Sequence, residues 1–553
     1  MNFKMKTRLL ALAAVLFCCY SCIETDSTLG GNLVPTVETY TFHTVEVPLE
    51  GITTKMADNL SGYSDARITI GAIREPEYGL TTRSSAVTLI PLFQDKLDMG
   101  KNPVFKRFRF AAACDTTSFL DPTQENILQR VNVYALEHAL DPEVDYDINR
   151  PIQHSTKRIA KGTPVINGTD SLTFEFTEEF GKKYLQITQD DLKDIETYLA
   201  KFPGIYMETE IPHEDGGRID MLDVQMAYDK DYGYIMGNVA TLNYSAEFDG
   251  IRKDTTVLFW YGAADFFPLD SLFEAYTGTF PQYALNHTGQ ETRDRAGDAQ
   301  REITIEGGGG LKPVISALSL KHQVEKAIIE VGGNPKDAVI NKASLIFPFV
   351  FPEDYKDMSY WPYRLSPTCR LVNDESTAYM GLTDSSSSNE NQGDVDRSLM
   401  RYAPDITYHM QEILKVDESA TDKSSTKNLL SGNYDIWLLV MAQETVTTVS
   451  TASKEQQEML NYLAYSSYYN GMYGGYGYGG YGGYGGGYGG YGSYYNNYLT
   501  YAMMAQQASV SHTSTSKSIK LDTDRFYRAA LNGPESNSAP TLKLVFALPN
   551  QEN

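Results

Sequence analysis

Cysteine is scarce. Only five occur in 553 residues, and Cys18, Cys19 and Cys22 crowd into the first 22. A disulfide-built scaffold is excluded by that count, and Cys114 and Cys369 are expected as buried free thiols. The eight histidines are dispersed, and none stands in an HExxH or His-x-His neighbourhood, so no metal site is expected from them. Positive charge is in deficit, with 47 Lys and Arg against 71 Asp and Glu and a net charge of −24. A chain this acidic repels phosphate backbones, which argues against a nucleic-acid partner. Long apolar runs are missing too. Residues 9–19 form an apolar stretch that is too short to cross a bilayer core, which needs roughly 20 residues as a helix.

That stretch has another use. Lys4, Lys6 and Arg8 precede it without an acid, and Tyr20-Ser21-Cys22 closes it, in the order of a secretory signal. A lipoprotein peptidase requires a small residue before its cysteine. Ser21 supplies one for Cys22, whereas Cys18 follows Phe17 and Cys19 follows another cysteine. Cys22 is therefore the expected lipidation site, with residues 1–21 removed and residues 22–35 as a tether. Several acyl chains (palmitate among them) would anchor the protein stably, since a single chain binds only marginally. Removal of three positive charges leaves −24 − 3 = −27 on the mature chain. Glu24 and Asp26 suit routing to the outer cell face. No cofactor is expected beyond that lipid.

Alternation of period two dominates the rest. Leu172, Phe174 and Phe176 share one face, as do Leu222, Val224, Met226 and Tyr228, and Leu242, Tyr244, Ala246 and Phe248. Leu345, Phe347, Phe349 and Phe351 follow, then Leu542, Leu544, Phe546 and Leu548. Such segments, separated by Gly, Pro, Asn and Asp, read as half-buried strands. The expected fold is mostly β, with two or more antiparallel β-sandwich or jelly-roll-like domains and a few short helices. A first sandwich region is expected over 36–250, a connecting region over 251–312 and a second sandwich region over 313–553. Residues 104–114 followed by 129–145 echo residues 342–351 followed by 363–374 as strand, polar loop, strand. Helices are expected over 189–201 with Thr188 as N-cap, over 405–415, as one turn over 270–276, and over 454–469 with Ser453 and Gln456 as a capping box.

An insert at about 453–511 interrupts the second region. Residues 471–492 contain only Gly, Tyr and one Met. Tyrosine offers a flat apolar face and a hydroxyl, so Tyr473, Tyr476, Tyr481, Tyr484, Tyr488 and Tyr491 are candidate glycan-stacking or adhesive positions. The absence of Lys and Arg there argues against single-stranded nucleic acid.

No reactive centre emerges. Neither a G-x-S-x-G elbow nor a Walker lysine loop is present. Gly307 to Gly310 before Leu311-Lys312-Pro313 lacks the Gly-Lys-Ser/Thr ending of a phosphate cradle, and a tight bend explains it better. Asp141, Glu143, Asp145 and Asp147 alternate as calcium ligands would, but Tyr146 stands where an EF-hand loop needs glycine. With 71 acids, composition nominates no glycosidase pair. A non-enzyme is expected.

Several segments together resemble a bacterial lipoprotein family catalogued as domain of unknown function 4270. They are Ser27-Thr28-Leu29-Gly30-Gly31 with Pro35, Ile70-Gly71 running into Glu75-Pro76-Glu77-Tyr78-Gly79, and Phe202-Pro203-Gly204-Ile205-Tyr206. Glu306-Gly307-Gly308-Gly309-Gly310-Leu311-Lys312-Pro313, Ile340-Asn341-Lys342-Ala343-Ser344-Leu345 and residues 402–414 complete the order. The Gly/Tyr insert and Pro203 depart from that pattern. The resemblance implies an outer-membrane lipoprotein without assigned catalytic residues. It also implies an accessory role beside an outer-membrane protein, the barrel-insertion machinery being one candidate. A glycan- or host-binding surface module is the alternative.

Overall fold

The computed structural model describes residues 40–550 apart from 65–66, 93–96, 141–143, 145, 225, 230–233, 263–277, 281–283, 292–296, 299–300, 353–357, 359–360, 373–376, 387–390, 417–427 and 451–511. The chain is mostly antiparallel β, arranged in several sheets, with four α-helices among the described residues.

Period-two alternation becomes two hydrophobic cores. The first is lined by Phe108 and Phe110, Leu172, Phe174 and Phe176, and Leu242, Tyr244 and Ala246, on strands of a 14-stranded sheet. Its 13-residue strand Gly79–Pro91 pairs along its length with strands Arg67–Glu75, Ile205–Thr209, Ile251–Gly262 and Ala284–Gln290. The second core lies between a five-stranded sheet, through Leu345, Phe347, Leu542, Leu544 and Phe546, and a seven-stranded sheet, through Ile315, Leu365, Ile436, Leu438 and Val440. Two sheets facing one core make this half a sandwich.

The halves interleave in sequence. Tyr40–Pro48 is the edge of the five-stranded sheet, paired with Thr541–Pro549, and Ile52–Met56 pairs with Leu311–Ile315 in the seven-stranded sheet. The described residues therefore begin in the C-terminal half, although the sequence places residues 36–250 in the first region. Conversely, Ile251–Gly262 and Ala284–Gln290, from the expected connecting region, are strands of the 14-stranded sheet. Local alternation fixes which face is buried, but strand partners hundreds of residues away decide which sheet is joined. The two echoing segments share one trait: in each, the two strands are unpaired with one another yet line a common core.

The helices depart from expectation in instructive ways. Helix α1 (Glu178–Tyr184) is capped by Thr177 and buries Phe180 and Tyr184 among the rings of the first core. Helix α2 covers only Ile195–Lys201, so the expected start near residue 189 is corrected. Thr188 is not its cap. Its amide and hydroxyl both donate to Asp191, closing a separate turn, and Asp194 caps α2 by accepting from the Thr197 amide at 2.7 Å. Aspartates bond nearby backbone readily and so divide a helical stretch. Helix α3 (Ala317–Glu330), capped by Ser316, is the longest, and helix α4 (Thr407–Lys415) fills the expected 405–415 segment. Phe351 is exposed rather than inward, because its strand ends at Pro348. The helices expected at 270–276 and 454–469 lie outside the described residues.

Candidate functional site

The halves meet on a polar seam built by residues 522–528, which run directly on from the strand His512–Leu521. Phe526 seats against Ile73 and Ile219 of the first half. Arg528 reaches both Glu75 of the first half and Glu306 of the second, Nη1 lying 2.5 Å from Glu306 Oε1, and its guanidinium stacks 4.1 Å from the Tyr78 ring centroid. Asp524 is seated the same way, accepting from Ser64 Oγ at 2.7 Å and Asn286 Nδ2 at 2.9 Å. Burial, with Asp522 nearby, pushes Asp524 up to about 6. Burial works on Asp522 as well, but Arg525 and the Tyr527 hydroxyl outweigh it and hold that carboxyl below its usual range.

The Gly307 to Gly310 segment forms the floor of the seam. It is a turn closed by the Gly310 amide on the Gly307 carbonyl, between strands Glu302–Glu306 and Leu311–Ile315. Its carbonyls are already taken: Lys312 Nζ donates to those of Glu306, Gly308 and Gly310 at 2.6, 3.0 and 3.0 Å. Burial lowers Lys312 to about 7, with Glu306 opposing and Arg83 assisting. Three carbonyl acceptors need three N–H donors, which only the ammonium form supplies. A phosphate has no room, because side chains fill the space over the turn. Gly308 adopts φ +57°, and a Cβ there would fall 2.4 Å from Arg83 Nη1. Arg83 itself is fully buried. Its Nη2 donates to the Arg525 carbonyl at 3.4 Å, while Nε and Nη1 have no protein partner among the described residues. Burial lowers it to about 10.

Two of the quoted motifs thus converge, since Glu75 and Glu306 accept from one guanidinium. The sequence reading missed Arg83, Asp522, Asp524 and Arg528. A charged residue destined for burial looks like any surface charge, and the signal available was only the cluster Asp522, Asp524, Arg525 and Arg528 in seven residues.

Other candidates resolve into structural roles. Asp147 accepts from the Asn59 and Asn149 amides at 2.7 and 2.8 Å; Asp141, Glu143 and Asp145 lie outside the described residues. Cys114 and Cys369 are free thiols, both raised by burial. No group of three or more potential metal ligands gathers among the described residues. Two shallow clefts, of about 260 and 360 Å³, lie at the Val331–Pro549 rim and beside Lys161. In the second, Glu175 and Glu178 are bound by Lys161 and Lys182 at 3.2 and 2.6 Å. Among the described residues no helix is long and apolar enough to cross a membrane.

Cys22 and Tyr473, Tyr476, Tyr481, Tyr484, Tyr488 and Tyr491 lie outside the described residues. The structure does place the root of the insert. Strand Ile436–Ser450 pairs with Leu311–Ile315 and Arg364–Val372 as far as Met441, and from Ala442 onward its described partner is His512–Leu521 alone. The resulting ribbon ends with Ser450 opposite His512. Residues 451–511 therefore leave and return side by side, since opposed residues of an antiparallel pair sit about 5 Å apart. No family model, no curated protein and no solved structure matches this chain.

Proposed function

We propose that this chain is a non-enzymatic lipoprotein of the bacterial outer membrane. It is anchored through Cys22, displayed at the cell surface, and acts as an accessory subunit of an outer-membrane protein complex. The observation that carries this reading is the order of basic residues, short apolar run and Ser21-Cys22 at the start of the sequence. The fold agrees with a scaffold role. Its charged residues at the seam are spent on holding two β halves together. Membership of the unknown-function lipoprotein family named above is part of the same proposal.

The test is extraction from the native membrane in mild detergent, with crosslinking in living cells beforehand. A barrel protein recovered in stoichiometric amount is the expected result. Recovery of the lipidated chain only as a free monomer overturns the assembly reading. An unmodified amino terminus elsewhere than residue 22 overturns the anchor.

A second reading is favoured by the ribbon alone, which brings both ends of residues 451–511 to one point. In that reading the tyrosines form a glycan-binding arm. Glycan-array binding that disappears on deletion of residues 471–492 supports it, and binding unchanged by that deletion removes it.

A further inference from the structure

Buried polar atoms without a protein partner gather in one layer of the seam. Strand Gly79–Pro91 lies beside Ala284–Gln290 with Thr81 opposite Gln290 and Arg83 opposite Thr288, so these four side chains share one face. That face meets the turn at Gly307 to Gly310. Atoms of Arg83 and Thr288 close on the place where a Gly308 Cβ would stand, those of Asn149 on the same place at Gly309, and those of Gln290 at Gly310. Thr81 Oγ1, Arg83 Nε and Nη1, Asn149 Oδ1, Thr288 Oγ1 and Gln290 Oε1 are buried, and none has a protein partner among the described residues. Buried polar groups of folded proteins bond to protein, to ordered water or to an ion, so the cluster marks a bound species.

Charge separates the two kinds of occupant. Arg83 is 2% exposed, and arginine keeps its proton inside proteins. Water satisfies its N–H groups but does not neutralise it, and a buried charge without a counter-charge is costly. Among the described residues its one bond is to a carbonyl. Asp524 and Asp522 act on it through space, yet Asp524 accepts from Ser64 and Asn286, and Asp522 from Arg525 and Tyr527. Glu306, beside the turn, is engaged by Arg528 and Gln290, and Lys312 adds a second buried cation at the same turn.

Size limits the anion. A Gly308 Cβ would lie 2.4 Å from Arg83 Nη1 and 2.7 Å from Thr288 Oγ1, so the two atoms converge on one point, yet they do not bond each other. A single atom can be shared between them, whereas Asn149 and Gln290 crowd out a tetrahedral oxyanion. We propose that a halide ion, chloride at ordinary salt, is held by Arg83 Nη1 and the Thr288 hydroxyl over Gly308 and completes the junction between the two halves. Ordered water serves the amide oxygens of Asn149 and Gln290, which an anion would repel. The site is independent of the lipid anchor and of any outer-membrane partner, and it makes cohesion of the halves depend on chloride concentration.

The experiment follows urea unfolding of the purified full chain by tryptophan fluorescence while chloride replaces gluconate at constant ionic strength. The midpoint is expected to rise and then level off, because a ligand that binds only the folded chain stabilises it by mass action. Bromide should substitute for chloride and sulfate should not. In Thr288→Val, which keeps the side-chain shape, the half-saturating chloride concentration should rise about tenfold, the worth of one hydrogen bond to a charge. Arg83→Met should abolish the response, and Thr288→Val carries the test alone if that variant does not fold. Crystals soaked in bromide should show an anomalous peak within hydrogen-bond reach of Arg83 and Thr288. Equal midpoints in chloride and gluconate mean that water alone fills the layer and overturn the proposal, even beside a bromide peak, which is then binding at crystal concentration only. A rise that never levels off, a response that Thr288→Val leaves unchanged, or a bromide peak only elsewhere overturns it as well.

Discussion

Two fully buried arginines, one in each kind of environment, show how differently the molecule handles charge. Arg218, inside the first half, has its donors used. Nε donates to Asp220 Oδ1 at 2.7 Å, Nη1 to the Glu125 and Ile127 carbonyls at 2.8 Å each, and Nη2 to the Ile166 carbonyl at 3.1 Å. Arg83, at the seam, has one long bond, and its Nε and Nη1 have no partner among the described residues. Within one half, a single strand and its neighbouring loops shape themselves around the guanidinium. At the seam, groups from two separately built cores must meet, and complete satisfaction is harder to reach. Arg528 compensates by pairing with a carboxylate from each side. A buried charge is a strong lock only while its partners stay, because the survivor of a broken pair is left desolvated.

The largest expected effect breaks the satisfied case. Arg218→Met strands Asp220, already pushed up by burial against the pull of Arg218, and orphans three carbonyls. A loss of about 4–5 kcal/mol is expected in urea unfolding, and Arg218→Met with Asp220→Leu should recover part of it. Arg528→Met is next, at about 3–4 kcal/mol, since it removes the shared cation from Glu75 and Glu306 together. The readout that matters is coupling. Trp260 lies in the first core and Trp361 in the second, and single-tryptophan variants should unfold together in the native chain but separately once Arg528 is gone. Coincident transitions in Arg528→Met would show that apolar contact alone unites the halves.

A pH experiment sharpens the same contrast. His409 in helix α4 is buried, with Nε2 2.9 Å from the Tyr434 carbonyl, and burial lowers it to about 4. Between pH 6.5 and 4 the unfolded chain binds a proton that the folded chain refuses, so this group removes stability as pH falls. Asp524 at the seam acts oppositely. With a folded value near 6 and an unfolded one near 3.8, it adds stability that is full below pH 3.8 and lost as pH rises to 6. The two slopes nearly cancel between pH 4 and 6. Asp524→Asn should expose the His409 slope, worth up to about 3 kcal/mol over its window, and His409→Gln should leave the reverse slope. Flat stability from pH 4 to 6 in both variants would discard this assignment.

Legibility in the sequence followed the range of the interaction. Period-two alternation marked both cores, and residues such as Leu242, Tyr244 and Ala246 or Leu542, Leu544 and Phe546 are inward as expected. The fold class was readable because a sheet face is written in adjacent residues. Strand partners were not, which is why Tyr40–Pro48 joins the last strand of the chain. The seam was unreadable for the same reason: Glu75, Glu306 and Arg528 stand far apart in sequence, and their burial depends on tertiary fit. Local competition explains the shortened α2, where Thr188 and Asp191 satisfied each other. Helix α3 was legible and was missed. Leu320, Val324 and Ile328 recur at helical spacing behind Ser316, a pattern as local as the strand alternations.

That helix supplies the smallest test. Ser316 Oγ accepts from the Ser319 amide at 3.3 Å, and Thr177 Oγ1 accepts from the Phe180 amide at 3.4 Å at the start of α1. Either substitution by alanine leaves one orphan donor and should cost about 1 kcal/mol, measurable as a shift in urea midpoint at constant slope. Aspartate at position 316 should restore the cap. The two caps are alike in chemistry but sit in different halves, so they report on coupling without disturbing the seam. With Arg528 present, both alanine variants should move one shared transition. In the Arg528→Met background, Ser316→Ala should shift only the Trp361 signal and Thr177→Ala only that of Trp260. Cross-effects persisting there would mean that the halves are joined by the apolar contacts of Phe526 with Ile73 and Ile219, and that the ionic triad adds specificity rather than cohesion.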